Sequence, residues 1–222
     1  MSADPCSLPP DRPPDRPPGE PPDLPEHIAA TLAEHGWCVA DDFLAPLLVS
    51  QLRHEARQRW RSGEFRRAGV GRGADLTVRS EVRTDRVLWL DPADLSAAQG
   101  RYWARLEDVR LAVNRTMFLG LHELEAHFAV YPAGAYYRKH LDKFRGMEGR
   151  QLSCVLYLNE CWQDGDGGAL RIYVDAANPD AYVEVLPAGG RLVTFLSARF
   201  LHEVMPAGRE RFSLVGWFRR RA

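Results

Sequence analysis

The chain has almost no lysine and little net charge. Lys139 and Lys143 are its only lysines, so arginine supplies nearly all of the 29 basic residues, which we attribute to coding bias. The 30 acidic residues bring the formal net charge to -1. Because no overall positive field is present, the composition gives no reason to expect a nucleic-acid partner.

Cysteines and long apolar segments are also scarce. Cys6, Cys38, Cys154 and Cys161 show neither a C-x-x-C spacing nor the density of a disulfide-rich secreted domain. No apolar run approaches the length that spans a bilayer, and the amino terminus lacks the apolar centre of a signal peptide. We therefore expect a cytoplasmic protein that does not interact with membranes.

Proline is concentrated at one end. Residues 1–25 contain ten of the sixteen prolines, including Asp-Arg-Pro-Pro twice in tandem from Asp11. This composition predicts a disordered, partly polyproline II tail that catalysis can do without. The other residues, 26–222, are long enough for one domain with a sizeable core.

The order of elements in that domain indicates a mainly β fold. Apolar residues at helical spacing predict helices near residues 28–36, 43–61 and 94–119. The carboxy-terminal half alternates apolar and polar residues in short segments separated by Gly, Pro and Asp, which is typical of a closed or double-sheet antiparallel architecture. In one predicted strand, Gln151 to Glu160, one face carries Ser153, Val155, Tyr157 and Asn159. Gly69–Gly73 is predicted to be a glycine-rich loop and not a phosphate loop, and Asp164–Gly168 a tight turn and not a calcium site.

A candidate metal site follows from His140-Leu141-Asp142. Residues two apart in a strand point to the same face, so this imidazole and carboxylate could reach one ion. His202 offers a third ligand. Two histidines and one carboxylate are the set that binds Fe(II) in non-haem oxygenases and leaves positions open for substrates. The other strand histidine, His127, is predicted to be a core-edge or surface residue.

Arg211 opens an alternating segment that ends at Phe218. Arg211, Ser213 and Trp217 share one face of this predicted strand. A buried arginine without a partner is costly, and a dicarboxylate cosubstrate would supply the missing anion. A zinc hydrolase could use the same three ligands but would leave Arg211 unexplained.

Residues 26–222 resemble the Fe(II)- and 2-oxoglutarate-dependent dioxygenases, and within them the prolyl 4-hydroxylases related to the oxygen-sensing enzymes. The motifs that carry this resemblance are Tyr131-Pro, His140-x-Asp142, Arg150 to Asn159, Gly167-Gly-Ala-Leu-Arg171, His202 and Arg211-x-Ser-x-x-x-Trp217. The resemblance implies a double-stranded β-helix, or jelly roll, with amino-terminal helices packed on one sheet.

The resemblance also implies residue roles. His140, Asp142 and His202 would bind Fe(II). Arg211 would bind 2-oxoglutarate, and the residues implied to assist it are Tyr157, Tyr131 and Leu170. A target chain would meet the charged finger residues Arg83 and Asp85 together with Arg150 and Trp217. The finger lies within Arg79 to Asp91, where charged and apolar residues alternate as in a two-stranded finger or a half-exposed strand. Arg83 and Asp85 are expected to be exposed charges of opposite sign, and the alternative is a local ion pair that only stiffens the finger.

The implied reaction couples decarboxylation of 2-oxoglutarate by dioxygen to hydroxylation of a prolyl residue in a protein. Bacterial relatives suggest elongation factor Tu as that protein. The alternatives are a hydroxylase of free proline or another small molecule, and a non-catalytic jelly-roll module that keeps a metal for structure. A nucleic-acid demethylase is disfavoured, because Trp217 occupies the position where such relatives carry a second arginine.

Overall fold

The computed structural model describes residues 23–69, 79–142 and 149–221. The predicted tail lies outside these ranges except for its last three residues, and two of these, Leu24 and Pro25, already belong to the first helix. Most of the glycine-rich segment Gly69–Gly73 also lies outside the described residues.

The described part of the chain contains three α-helices, a one-turn 3-10 helix at Asp164–Asp166 and eleven strands. The helices are α1 (Leu24–His35), α2 (Pro46–Arg61) and α3 (Ala97–Met117). The strands are β1 (Trp37–Ala40), β2 (Arg66–Arg67), β3 (Arg86–Trp89), β4 (Leu121–Tyr131), β5 (Tyr137–His140), β6 (Arg150–Tyr157), β7 (Leu170–Tyr173), β8 (Tyr182–Val185), β9 (Leu192–Leu196), β10 (His202–Val204) and β11 (Arg211–Arg220).

The strands form two antiparallel sheets. The major sheet has the order β1-β9-β6-β11-β4-β3-β2, and the minor sheet has the order β5-β10-β7-β8. This arrangement confirms the predicted mainly β fold. The segment from Arg79 to Asp91 was predicted to be a finger or a half-exposed strand. Its strand, β3, is half-exposed and pairs with the short β2, for which the sequence had given no signal.

Side-chain alternation along the central strands creates two separate cores. In β6, Cys154 and its even-numbered neighbours pack against the helices, whereas Val155 and Tyr157 pack between the sheets. In β11, Phe212, Leu214 and Phe218 belong to the helix-side core. The predicted odd-numbered face of β11, beginning at Arg211, therefore points into the space between the sheets.

Helix α3 covers the helix side of the major sheet and has a capping box at its start. The Ser96 hydroxyl accepts a hydrogen bond from the Gln99 N–H, and the Gln99 side chain accepts one from the Ser96 N–H. These bonds satisfy two donors that the first helical turn leaves unpaired. The helix ends at Met117, where Phe118 adopts the left-handed conformation. No helix among the described residues is long and apolar enough to cross a membrane.

Asn159, just beyond β6, fixes the start of β11. Its side-chain N–H group donates to the backbone oxygens of Pro187 (2.8 Å) and Phe212 (3.1 Å). Its side-chain oxygen accepts from the Phe212 N–H at 2.7 Å. The two bonds to Phe212 hold the backbone immediately after Arg211, and the bond to Pro187 ties this point to the segment before β9. Asn159 therefore helps to fix the position of the Arg211 backbone.

We predict that Asn159→Ala lowers the free energy of unfolding by roughly 2–4 kcal/mol, because it leaves buried backbone groups without partners. Urea denaturation would measure the change. Asn178→Ala is the matched control, since Asn178 accepts one local hydrogen bond in an exposed turn. An equally small loss in both variants would contradict the role given to Asn159.

Candidate active site

Two histidines from neighbouring strands face each other at the edge of the minor sheet. His140 ends β5 and pairs in register with His202, the first residue of β10. Asp142 follows in a bend, two residues beyond β5. We expected His140 and Asp142 to share one face of a continuous strand. That expectation is wrong, because the strand ends at His140 and the bend turns the carboxylate toward both rings.

The three side chains are close enough to bind one ion. The Nε2 atom of each histidine lies 3.7 Å from Asp142 Oδ1. One ligand atom from each residue lies within 4.8 Å of a ligand atom from each of the other two. His202 and Asp142 are buried, and His140 is partly buried. The structure therefore brings the three predicted metal ligands together.

Backbone contacts set the orientation of both imidazoles. His140 Nδ1 lies 2.7 Å from the Arg138 carbonyl oxygen, and His202 Nδ1 lies 3.1 Å from the Phe200 carbonyl oxygen. A carbonyl oxygen can only accept, so Nδ1 carries the proton in each ring. The lone pair on Nε2 then points toward Asp142, as a metal ligand requires.

Asp142 is held in the same way by a hydroxyl pair. Ser153 Oγ donates to Asp142 Oδ2 at 2.7 Å and lies 2.8 Å from Ser197 Oγ. Oδ2 is thus occupied, and Oδ1 faces the histidines. Burial alone would raise the pKa of Asp142, but His202, His140 and the Ser153 hydrogen bond together lower it below the usual aspartate value.

Burial and the neighbouring His202 also lower the pKa of His140 well below the usual histidine value. At neutral pH the His140 ring is therefore uncharged and Asp142 is ionised. These are the protonation states in which both residues bind metals.

A cavity of about 770 Å³ opens from these residues between the two sheets. Its size lies within the range of small-molecule sites. It contains the three predicted ligands and the odd-numbered faces of β4 and β11. Its other lining residues include Arg83, Trp89, His127, Tyr131, Tyr137, Arg150, Leu170, Arg211, Ser213 and Trp217.

Arg211 is a buried cation without an acidic partner. It is 1% exposed, and its Nε donates to the Gly168 carbonyl oxygen at 2.8 Å. The guanidinium carbon lies 4.9 Å from the ring centres of Tyr131 and Tyr157. No carboxylate forms an ion pair with Arg211 in the part of the chain that the structure describes. A buried guanidinium in this state is suited to a bound anion.

Two hydroxyl groups near Arg211 are also unused. The hydroxyls of Tyr157 and Ser213, residues paired across β6 and β11, are buried without a hydrogen bond of ordinary geometry in the described structure. Burial raises the pKa of Tyr157, although the nearby Arg211 offsets part of the rise, so the phenol keeps its proton. Tyr131 pairs in register with Arg211, and Leu170 contributes an apolar wall. The predicted anion-binding residues are thus gathered in one place.

Arg83 and Asp85 differ from our expectation of exposed charges. Asp85 is 1% exposed and Arg83 is partly buried. Their side chains form a two-pronged ion pair, with N–O distances of 2.8 and 2.6 Å. The Arg83 guanidinium lies 4.1 Å from the centre of the Tyr137 ring, which in turn stacks on His140 at 3.5 Å. The expectation of exposed charges is wrong, because the pair packs against the Tyr137 ring, which itself contacts the metal-ligand candidate His140.

Arg150 and Trp217 line the cavity and pack against each other. Arg150 Nε donates to Glu125 at 2.6 Å, and its guanidinium carbon lies 3.6 Å from the centre of the Trp217 ring. The Trp217 indole N–H lacks a hydrogen bond of ordinary geometry, yet it lies close enough to Asp142 to help lower the pKa of that carboxyl. Both residues line the cavity, as their predicted role requires.

Sequence reasoning missed Ser153, Tyr137 and His127 as site residues. Ser153 was correctly assigned to the face of Tyr157, but its bond joins it to Asp142, a residue eleven positions away, and periodicity within one strand cannot predict such a contact. Tyr137 was not distinguished from its neighbours. His127 lies on the same face of β4 as Tyr131, and this shared parity was the signal that could have identified it.

The comparisons with known proteins agree with this geometry. Residues 126–219 match the model of the 2OG-Fe(II) oxygenase superfamily. The chain is 30% identical over 202 residues to "Egl nine homolog 1" of Homo sapiens, across 87% of this chain and 46% of that protein. The chain thus spans about half the length of this curated relative.

Two solved structures are similar over nearly the whole chain. A prolyl-4-hydroxylase from Pseudomonas putida is 44% identical and covers 90% of this chain and 100% of its own, with a TM-score of 0.78. A prolyl hydroxylase from Trichoplax adhaerens, solved with a hypoxia-inducible factor peptide fragment, is 25% identical, with a TM-score of 0.77. Its match covers 88% of this chain and 89% of its own.

We predict that Ser153→Ala weakens Fe(II) binding by about 10- to 100-fold, the usual effect of losing a hydrogen bond to a metal ligand. Anaerobic titration of the purified protein with Fe(II) would measure it. Thr194→Val is the control, because it removes a buried hydroxyl without a hydrogen-bond partner on the helix side of the same sheet. Equal affinities in Ser153→Ala and the wild type would show that Ser153 does not position Asp142.

Proposed function

This chain belongs to the prolyl hydroxylases of the 2-oxoglutarate- and Fe(II)-dependent dioxygenases, and we propose that it hydroxylates a prolyl residue of a protein. The proposal rests mainly on the burial of Arg211 without an acidic partner among the described residues. A buried guanidinium without an acid, in the same cavity as a His-Asp-His cluster, suits an enzyme whose cosubstrate is an anion.

We assign His140, Asp142 and His202 to Fe(II). This donor set fits the metal, because two neutral imidazoles and one carboxylate form the ligand group of non-haem Fe(II) oxygenases. When bound, Fe(II) and 2-oxoglutarate supply the oxidising chemistry, in which dioxygen converts 2-oxoglutarate to succinate and carbon dioxide and hydroxylates the target carbon. The protein orients the His140 and His202 rings through hydrogen bonds to the Arg138 and Phe200 carbonyl oxygens.

We assign Arg211 to the carboxylate of 2-oxoglutarate that lies farther from the metal. The guanidinium supplies a charge-assisted, fork-shaped donor, and the unused hydroxyls of Tyr157 and Ser213 can donate to the same anion. Tyr131 and Leu170 would keep water away from this pair. In a dry pocket, each of these contacts is stronger than in water.

The proposed macromolecular substrate would approach from the mouth formed by Trp217, Arg150 and the Arg83–Asp85 pair. Trp89 extends this mouth to the surface, where half of its side chain is exposed. An exposed indole and several charged groups suit a polypeptide better than a free amino acid, which needs only an enclosed pocket. The Trichoplax adhaerens relative was solved in complex with a hypoxia-inducible factor peptide fragment.

We propose elongation factor Tu as the target, by resemblance to bacterial prolyl hydroxylases, and the cytoplasm as the location. The cytoplasm is a reducing compartment. Cys38, Cys154 and Cys161 are free thiols, which is compatible with that environment.

We predict that Arg211→Lys raises the KM for 2-oxoglutarate by at least about tenfold while Fe(II) affinity changes little, because lysine cannot reproduce the fork of the guanidinium. Decarboxylation of 2-oxoglutarate, followed at several concentrations, measures this change. Arg220→Lys is the control, since Arg220 is an exposed arginine on the same strand. A wild-type KM in Arg211→Lys would remove the reason for assigning the cosubstrate to this residue.

Hydroxylation itself can be tested with Fe(II) and 2-oxoglutarate added anaerobically, followed by oxygen and either purified elongation factor Tu or a bacterial lysate. We expect mass spectrometry to find one added oxygen on a prolyl residue of elongation factor Tu. His140→Ala, Asp142→Ala and His202→Ala should each abolish the reaction, whereas His122→Ala, at an exposed site on β4, should not.

The other outcomes separate the alternatives. Oxygen added only to free proline would favour a small-molecule hydroxylase. Modification of a different lysate protein would overturn elongation factor Tu and keep the proposed chemistry. Stoichiometric iron without consumption of 2-oxoglutarate would favour a non-catalytic metal-binding module.

A further inference from the structure

His127 lies at the mouth of the cavity between two tryptophans. It stands on β4, in register with Trp89 of β3 on one side and Val215 of β11 on the other. Its ring centre is 4.7 Å from that of Trp89 and 5.2 Å from that of Trp217. The three rings form a continuous aromatic surface, which we call the aromatic wall, from the exposed Trp89 to the buried Trp217.

The hydrogen-bonding capacity of His127 is not used within the described structure. The side chain is 3% exposed, and Nδ1 is buried without a hydrogen-bond partner. An unpaired buried polar group costs free energy, so such groups are uncommon in native structures unless a ligand or water completes them. His127 lines the cavity, where a bound molecule could provide the missing partner.

The ring is held neutral. Burial lowers the pKa of His127 well below the usual value, and the charges of Arg83 and Arg150 lower it further, while Asp142 acts weakly in the opposite direction. A neutral imidazole offers one N–H donor and one nitrogen acceptor. It can therefore bind an uncharged peptide group, which also offers one donor and one acceptor.

The neighbouring charged groups at the mouth are already paired. Arg83 is bonded to Asp85, and Arg150 is bonded to Glu125. The indole N–H of Trp217 lies near Asp142. His127 is consequently the neutral group on the aromatic wall that is available to a substrate as both donor and acceptor.

We propose that His127 is a specificity-determining residue that hydrogen-bonds the main chain of the protein substrate next to the target proline, whose ring packs on Trp89 or Trp217. This inference rests on the proposed function. Proline has no N–H, so the peptide groups that flank its ring supply the bonding partners. Apolar contact with the indoles orients the ring, and the His127 bond sets the position of the chain along the aromatic wall.

The test compares three substitutions. His127→Phe keeps a flat ring and removes the hydrogen bonds, whereas His127→Asn and His127→Gln restore an amide near the former Nδ1 and Nε2 positions, respectively. Purified elongation factor Tu and a bacterial lysate serve as probes. The measurements are KM for elongation factor Tu, KM for 2-oxoglutarate, and the prolyl oxygen added per 2-oxoglutarate consumed.

We expect His127→Phe to raise KM for elongation factor Tu about tenfold, the effect of one lost hydrogen bond. The accompanying change in KM for 2-oxoglutarate should be several times smaller, and less oxygen should reach protein per 2-oxoglutarate consumed. One of the two amide variants should recover most of the loss and so identify the bonding nitrogen. His122→Phe, an exposed histidine on the same strand, is the matched control and should behave as the wild type.

Two results would overturn this inference alone. One is a wild-type KM and coupling ratio in His127→Phe. The other is an equal loss in all three variants with a matching rise in KM for 2-oxoglutarate, which would assign His127 to packing. A wild-type protein that hydroxylates no prolyl residue in either probe would overturn the proposed function, and this inference with it.

Discussion

The pairing of β11 with β4 on one side and β6 on the other is the constraint on which the site depends. Arg211 opens β11 opposite Tyr131, and Trp217 lies six residues later opposite Ser153. Because alternate side chains share a face, this one register places Arg211, Ser213, Val215 and Trp217 in a row along the cavity. A slip of one residue would turn Arg211 into the helix-side core. The Asn159 bonds to Phe212 act at the start of this strand, where such a slip would begin.

Arg83, Arg150 and Arg211 all line the cavity but differ in whether an acidic residue neutralises them. Arg83 and Arg150 each form an ion pair with a carboxylate of the same chain, whereas Arg211 has no such partner among the described residues. The two paired guanidinium groups also pack on aromatic rings. A buried arginine without an acidic partner is instead suited to bind an anion. The presence or absence of an acidic partner therefore distinguishes Arg83 and Arg150 from Arg211.

The sequence was sufficient where the relevant information is local. Period-two patterns in β6 and β11 correctly assigned the cavity faces of Tyr157 and Arg211, and the burial of Arg211 followed from its place on such a face. Contacts between distant segments were not accessible in this way. The burial of Asp85, the bond from Ser153 to Asp142 and the bend that displaces Asp142 from β5 all depend on how two sheets meet. His127 was missed because one strand pattern does not show which ring lies beside it on the next strand.

The burial of the Arg83–Asp85 pair changes what that pair can do for a substrate. We had expected exposed charges that matter more for the protein substrate than for the cosubstrate, with a local ion pair as the alternative, and the structure shows the ion pair. Arg83 also packs on Tyr137, and Tyr137 stacks on the metal-ligand candidate His140. A polypeptide that presses on this side of the mouth would act on a ring in contact with the metal site. Since buried ion pairs hold their geometry through hydrogen bonds, the Arg83–Asp85 pair limits how far that ring can move. In the proposed function, any contribution of the pair to target binding and its support of His140 would therefore both act through the Tyr137 ring.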